Sequence, residues 1–172
     1  MVDPVQPKIN NDISPKFLRW AGSKTRVIPT FMEVVPTFNT YHEPFCGSCA
    51  LFFSLAPQSA TLSDANPALI RTLKAVRDHP DAVYERLLCF EWSEAGYYRI
   101  RDQGIEDDDE VNLAAKFIFL NANCFNGIFR LNKAGKFNVP YGGHRAGRCP
   151  SLERLTEASR LLKNGGDIAG RF

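Results

Sequence analysis

Nothing in this 172-residue sequence approaches the run of about 18 apolar side chains that marks a membrane span. The stretch Met1 to Ser14 is polar, with Pro4 and Pro7 and no apolar core of a secretory signal. The two absences together lead us to expect a cytoplasmic protein with no membrane partner. Five cysteines, an odd number without a secretion signal, read as reduced thiols rather than a disulfide framework. A P-loop is excluded as well, because position 23, ahead of Lys24-Thr25, is Ser where that motif needs Gly. Acid is missing from one long region: between Lys116 and Arg148 there are six Lys or Arg and no Asp or Glu, whereas Glu106 to Glu110 is a block of five acids. With a net charge of only +2, it is this asymmetry that carries information. It fits an anion-facing surface, and it fits a solvated basic loop.

The length suits one domain, and 44% hydrophobic residues are enough to bury a core. The stretch Tyr41-His-Glu-Pro-Phe-Cys-Gly-Ser-Cys-Ala-Leu-Phe-Phe53 reads as a short strand, a small-residue turn and the start of a buried helix. Gly47 is free to take backbone angles closed to other residues, Ser48 is a good N-cap, and Ala50 to Leu55 is apolar. Such a turn directs backbone N–H groups at the anionic end of a cofactor. Asp64, fifteen residues past Cys49, has the position of an acid that binds ribose hydroxyls in doubly wound sheets; before Asn66-Pro67 it equally reads as the start of the next helix. Cys46-Gly-Ser-Cys49 imitates redox, papain-like and zinc sites. The apolar residues after it, the lack of a His at papain spacing and the lack of a second tight ligand pair point instead to packing, so no metal is expected.

Upstream, Trp20 and Lys24 flank a Gly turn before an amphipathic helix reaching about Val35, and they offer a stacking face and a carboxylate partner. Downstream, 3.6-residue apolar spacing predicts helices over Pro67–Asp78, Asp81–Phe90, Ser93–Gln103 and about Asp109–Asn123. The segment from Asn121 to Gly143 is then rich in Asn, aromatics and Gly. Lys133-Ala-Gly-Lys136 forms a hairpin turn between Phe129-Arg-Leu131 and Phe137-Asn-Val139. Aromatics interleaved with Arg, Lys and Asn suit a nucleic-acid surface, and the alternative is a hairpin whose rings lie in the core.

From Phe17 to about Leu162 the chain resembles the Dam-type (D12 class) adenine-N6 DNA methyltransferases. The matching residues are Leu18-Arg-Trp-Ala-Gly-Ser-Lys24, Glu43-Pro-Phe-Cys-Gly-Ser-Cys-Ala-Leu-Phe-Phe53, Leu62-Ser-Asp-Ala-Asn66, Tyr97-Tyr-Arg-Ile-Arg101, Asn126-Gly-Ile-Phe-Arg130 and Gly135-Lys-Phe-Asn-Val-Pro-Tyr-Gly142. The resemblance implies an α/β, Rossmann-like domain with a partial sheet that binds S-adenosyl-L-methionine, and an inserted helical and β-hairpin subdomain that reads double-stranded DNA. Trp20, Lys24, Pro44, Phe45, Gly47 and Asp64 would bind the cofactor. Phe125, Asn126, Ile128, Arg130 and Pro140 would lie on DNA as an adenine flips out, and the basic stretch would set Arg130, Lys133, Lys136, Arg145 and Arg148 against phosphates.

Two departures stand out. Cys49 replaces the second Gly of the family's usual F-x-G-x-G, and no D-P-P-Y occurs anywhere in the 172 residues, so no catalytic residue is assigned. The expected division is a flexible segment 1–15, a first part of the cofactor domain 16–78, a DNA-reading insert 79–150, and a helix returning to an incomplete cofactor domain over 151–172. Two functions stay open. One is a methyltransferase that is incomplete as this chain alone, with the D-P-P-Y half on a second chain or lost by truncation; the other is a non-catalytic methyltransferase-like protein that holds DNA, cofactor or a partner protein.

Overall fold

The computed structural model describes residues 15–22, 27–105 and 109–169. Lys24 and nearly all of segment 1–15 lie outside the described residues. The fold is mixed α/β, organised on a small parallel sheet of three strands: β1 (Tyr41–Glu43), β2 (Ala60–Leu62) and β3 (Gly166–Ile168). β2 is central, with Tyr41 and Gly166 opposite Ala60, and Glu43 and Ile168 opposite Leu62. Ala60 and Leu62 are buried, as expected of a middle parallel strand covered by helices.

Parallel neighbours need crossover connections. The β1–β2 crossover carries the short helix α2 (Ala50–Leu55), while α1 (Ile28–Val34) precedes β1. Between β2 and β3 the chain makes α3 (Pro67–Asp78), α4 (Pro80–Leu88), α5 (Glu94–Gln103), α6 (Glu110–Asn123) and α7 (Leu152–Gly165). Their starts follow local chemistry: Ser93, Asp109 and Ser151 accept from backbone N–H groups of α5, α6 and α7, and Pro80 opens α4 as soon as α3 ends.

α6 is buried around its whole circumference, Leu113 to Asn123 without interruption, Lys116, Asn121 and Asn123 included, so it lies inside other elements. It packs against α3, α4 and α5, while α7 packs against α3 and α4. One continuous core joins Phe52 and Leu62 near the sheet to Phe117 and Phe119 of α6 and Phe137 of the hairpin. The strand at 166–168 is a finding beyond the returning helix expected over 151–172. α7 runs directly into β3, and the Ala169 N–H continues the pairing by donating to the Leu62 carbonyl at 2.9 Å. Among the described residues no strand pairs with the outer edge of β1.

Candidate functional site

Parallel pairing of β1 and β2 brings their C-terminal ends together, and the hydrogen bonds continue beyond the strands. Ser63 donates through its N–H to the Glu43 carbonyl at 3.0 Å, and the Cys46 N–H donates to the Ser63 carbonyl at 2.9 Å. Asp64 is thereby delivered to the glycine turn. Its Oδ2 accepts the Gly47 N–H at 3.0 Å and its Oδ1 accepts the Asn66 N–H at 2.9 Å. Asp64 does not cap α3, one of the two roles open to it from sequence; Asn66 does, accepting from Ala68 and Leu69 at 3.1 and 3.2 Å. A carboxylate has about four acceptor positions, so Asp64 retains capacity for a ligand hydroxyl.

Gly47 lies against the indole of Trp20, and both line an open pocket of about 100 Å³ with Glu43, Phe45, Cys46 and Ser48. Pro44 sits between them in sequence, its carbonyl accepting from the Ser63 hydroxyl at 3.4 Å. Trp20 also stacks on Phe117 at 6.3 Å and on Phe129 at 6.4 Å, which connects this pocket to the root of the hairpin. The expectation that Ser48 caps α2 is corrected. Ser48 is buried, and Cys49 occupies the cap position in a left-handed conformation (φ 52°, ψ 31°) without a side-chain bond.

Glu43 is the residue that reading the sequence for site chemistry passed over. Burial pushes its carboxyl up to about 7, against stabilisation of the charged form by the Tyr41 hydroxyl and the Phe52 amide. Its Oε2 is buried and has no hydrogen-bond partner among the described residues. The available signal was an acid closing a short strand immediately before a glycine turn. Because the folded-state pKa lies above the unfolded one, Glu43 binds more protons in the native state between about 4.5 and 7. Its stability contribution is full below that window and lost as pH rises through it. Equilibrium urea unfolding at several pH values should therefore show wild-type stability falling by about 1 to 3 kcal/mol across the window. Glu43→Gln should remove that fall, and an unchanged slope in the variant would exclude Glu43 as its source.

The Asn121–Arg148 region forms the other candidate surface. Phe125 donates its N–H to the Pro140 carbonyl at 2.9 Å, so these two residues, both exposed, are neighbours. Asn126 adopts a left-handed conformation (φ 55°) that Asn tolerates, which sharpens the turn and leaves its side chain outside. The hairpin forms as expected, with Leu131 bridging Phe137 and the Asn132 side chain accepting from Ala134 and Lys136. Its two faces differ. Phe137 is buried, Phe129 stacks on Phe117 at 5.3 Å and Ile128 packs on the core, whereas Arg130, Lys133, Lys136 and Arg145 are exposed. Arg130 is held across the hairpin by Asn138, donating from Nε to Oδ1 at 2.8 Å. The outer face thus presents cations, amides and the Phe125 ring, and most of the other rings serve the core.

A family model for D12 class N6 adenine-specific DNA methyltransferases matches residues 20–170. The chain belongs to this family. It is 35% identical to the type II methyltransferase M.MjaIII of Methanocaldococcus jannaschii, over 91% of this chain and 62% of that protein. It is 34% identical to the retron Ec67 DNA adenine methylase of Escherichia coli, over 79% of the chain and 50% of the relative. For a DNA adenine methylase of Vibrio cholerae the figures are 31%, 80% and 51%. The chain thus spans roughly half to three fifths of the length of these curated relatives. Seen within the D12 class, Cys49 has a simple physical reading. Its left-handed backbone is one that glycine takes freely and that costs an L-residue about 1–2 kcal/mol. No helix of the described residues is long and apolar enough to cross a membrane.

Proposed function

We propose that this chain is the cofactor-binding and DNA-reading part of a site-specific DNA adenine-N6 methyltransferase that uses S-adenosyl-L-methionine. The observation that carries this reading is the junction of the Gly47 turn with Asp64 beside the Trp20 pocket. A Rossmann-like half would hold the cofactor there. Asp64 would accept from ribose hydroxyls, Trp20 and Phe45 would supply apolar surface, and the unpartnered oxygen of Glu43 suits the cationic end of the cofactor. Residues 79–150 would form the DNA-reading insert, with Phe125, Asn126, Arg130 and Pro140 toward the duplex. The groups that activate the adenine amine would come from a D-P-P-Y segment outside these 172 residues, pairing along the open edge of β1.

Calorimetry tests the cofactor site. Wild-type chain should bind S-adenosylmethionine, and Asp64→Ala should bind at least tenfold more weakly, about 1.4 kcal/mol. The loss combines the missing acceptor with two backbone N–H groups left without their partner. Equal affinities would refute the assignment of Asp64.

Titration of a labelled duplex over a range of salt concentrations tests the DNA face. Each phosphate neutralised by an exposed cation contributes about 0.9 to the steepness of log affinity against log salt. Arg130→Ala should also relax sequence preference by roughly 1 to 3 kcal/mol, as a bidentate base contact would. Affinity indifferent to salt would mean that the basic stretch is merely solvated.

A further inference from the structure

The segment that places Trp20 in the glycine-turn pocket also places Lys16 and Arg19 in a second pocket, of about 280 Å³, which among the described residues shares no lining residue with the first. Arg148 and Arg154 complete it, and among the described residues none that lines it is acidic. Four cations from three separate parts of the chain converge there. Burial and the charge of Arg154 push the Lys16 ammonium below the usual lysine range, as expected where like charges are crowded together.

The walls are fixed before any ligand arrives. Arg19 is clamped through its backbone, its N–H donating to Asn121 Oδ1 at 2.8 Å and its carbonyl accepting from Asn121 Nδ2 at 2.7 Å. Its guanidinium donates from Nη1 to the carbonyls of Ala122 and Arg145 at 3.0 and 2.8 Å. The Gly147 N–H donates to the Ala122 carbonyl at 2.8 Å, tying the segment that bears Arg148 to the end of α6. Arg154 stands in the first turn of the fourteen-residue α7, whose N-terminal N–H groups add positive potential.

We infer that this pocket is a phosphate-binding site that takes a backbone phosphate of the duplex, which rests on the DNA-reading function proposed above. Guanidinium groups match phosphate oxygens with paired N–H donors, and three of the four cations are arginines. Continuity of charge favours a duplex as the source of the phosphate. Arg145, on the proposed DNA face, gives its carbonyl to Arg19, and Arg148 follows three residues later, so the basic surface runs into the pocket. The site adds Lys16, Arg19 and Arg154 to the DNA footprint.

Fluorescence anisotropy with a short labelled duplex tests the site on wild-type chain, on Arg148→Ala/Arg154→Ala, and on Arg160→Ala. Arg160 also lies on α7 but is paired with Glu157 at 2.6 Å, so its removal controls for general charge loss. The double variant should bind at least fivefold more weakly at about 0.1 M salt, with a log-log salt slope reduced by about 0.9 for one lost phosphate. Arg160→Ala should change neither. A double variant with the wild-type slope, or an equal loss in Arg160→Ala, overturns the site; if Arg130→Ala still weakens binding, the DNA reading survives that failure. Should wild-type chain bind no duplex, the DNA reading itself fails. Thermal unfolding with inorganic pyrophosphate then decides: stabilisation of wild type but not of the double variant assigns the pocket to a free phosphorylated ligand, and no stabilisation overturns it.

Discussion

Incubated with labelled S-adenosylmethionine and duplex DNA, the 172-residue chain alone is expected to transfer no detectable methyl group, and a second polypeptide carrying D-P-P-Y is expected to restore transfer. The adenine amine is a weak nucleophile, because its lone pair is delocalised into the ring. The family resemblance implies that the Asp side chain and a backbone carbonyl of D-P-P-Y would accept the amine hydrogens, and that the Tyr would stack on the flipped base. Alignment of this kind accounts for up to about 7–11 kcal/mol of a barrier. A flipped base also costs a few kcal/mol in lost pairing and stacking, which a stacking ring offsets. The chain has no Pro-Pro pair, and Asp167, the acid nearest its end, lies in β3 paired with Thr61 on the far side of β2 from β1. Methyl transfer by the purified chain alone would overturn this reading of the catalytic groups. Transfer restored only by the added polypeptide would establish a split active site.

The second large effect is expected from Gly47→Ala. Gly47 has φ +48°, and a Cβ there would stand 2.7 Å from Trp20 Cδ1 and 2.9 Å from Nε1. The left-handed backbone costs alanine about 1–2 kcal/mol. Forcing the indole aside adds about 1–3 kcal/mol, because Trp20 is stacked against Phe117 and Phe129 and has little room to move. Urea unfolding should show a loss of about 2–5 kcal/mol, with S-adenosylmethionine binding lost to calorimetry. Gly135→Ala is the matched comparison, since Gly135 has φ +77° with nothing within 4 Å of the added carbon. It should suffer only the backbone penalty of about 1–2 kcal/mol and keep cofactor affinity. Similar losses in both variants would show that contact with Trp20 contributes nothing.

The helices were legible because their signals are local. α3 occupies the span predicted from apolar periodicity and Pro67, and the capping residues Ser93 and Asp109 mark the starts of α5 and α6 one residue from the expected positions. The family was legible for a related reason: short motifs in order persist in sequence where contacts do not show. The hairpin turn at Lys133–Lys136 was equally local, needing only Gly135 between two apolar runs. Misjudged features depend on residues brought together by folding. Ser48 has the chemistry of a cap, but the tight turn at Gly47 and Cys49 buries it and moves the cap position one residue on.

By itself, then, the sequence determined the helices, the strand–turn–helix at Gly47, the hairpin and the family, because each is written in neighbouring residues or in a motif. Tertiary structure alone decided that Asp64 holds the Gly47 amide, that one carboxylate oxygen of Glu43 is buried without a partner among the described residues, and that residues 166–168 form the third strand. It also decided which side of the hairpin meets water, and that Lys16 and Arg19 share a pocket with Arg148 and Arg154. Hydrogen bonds, burial and charge crowding act through space across separations of seventeen to more than a hundred residues. No local pattern encodes such distances; the pairing of β1 with β2 and the packing around α6 set them.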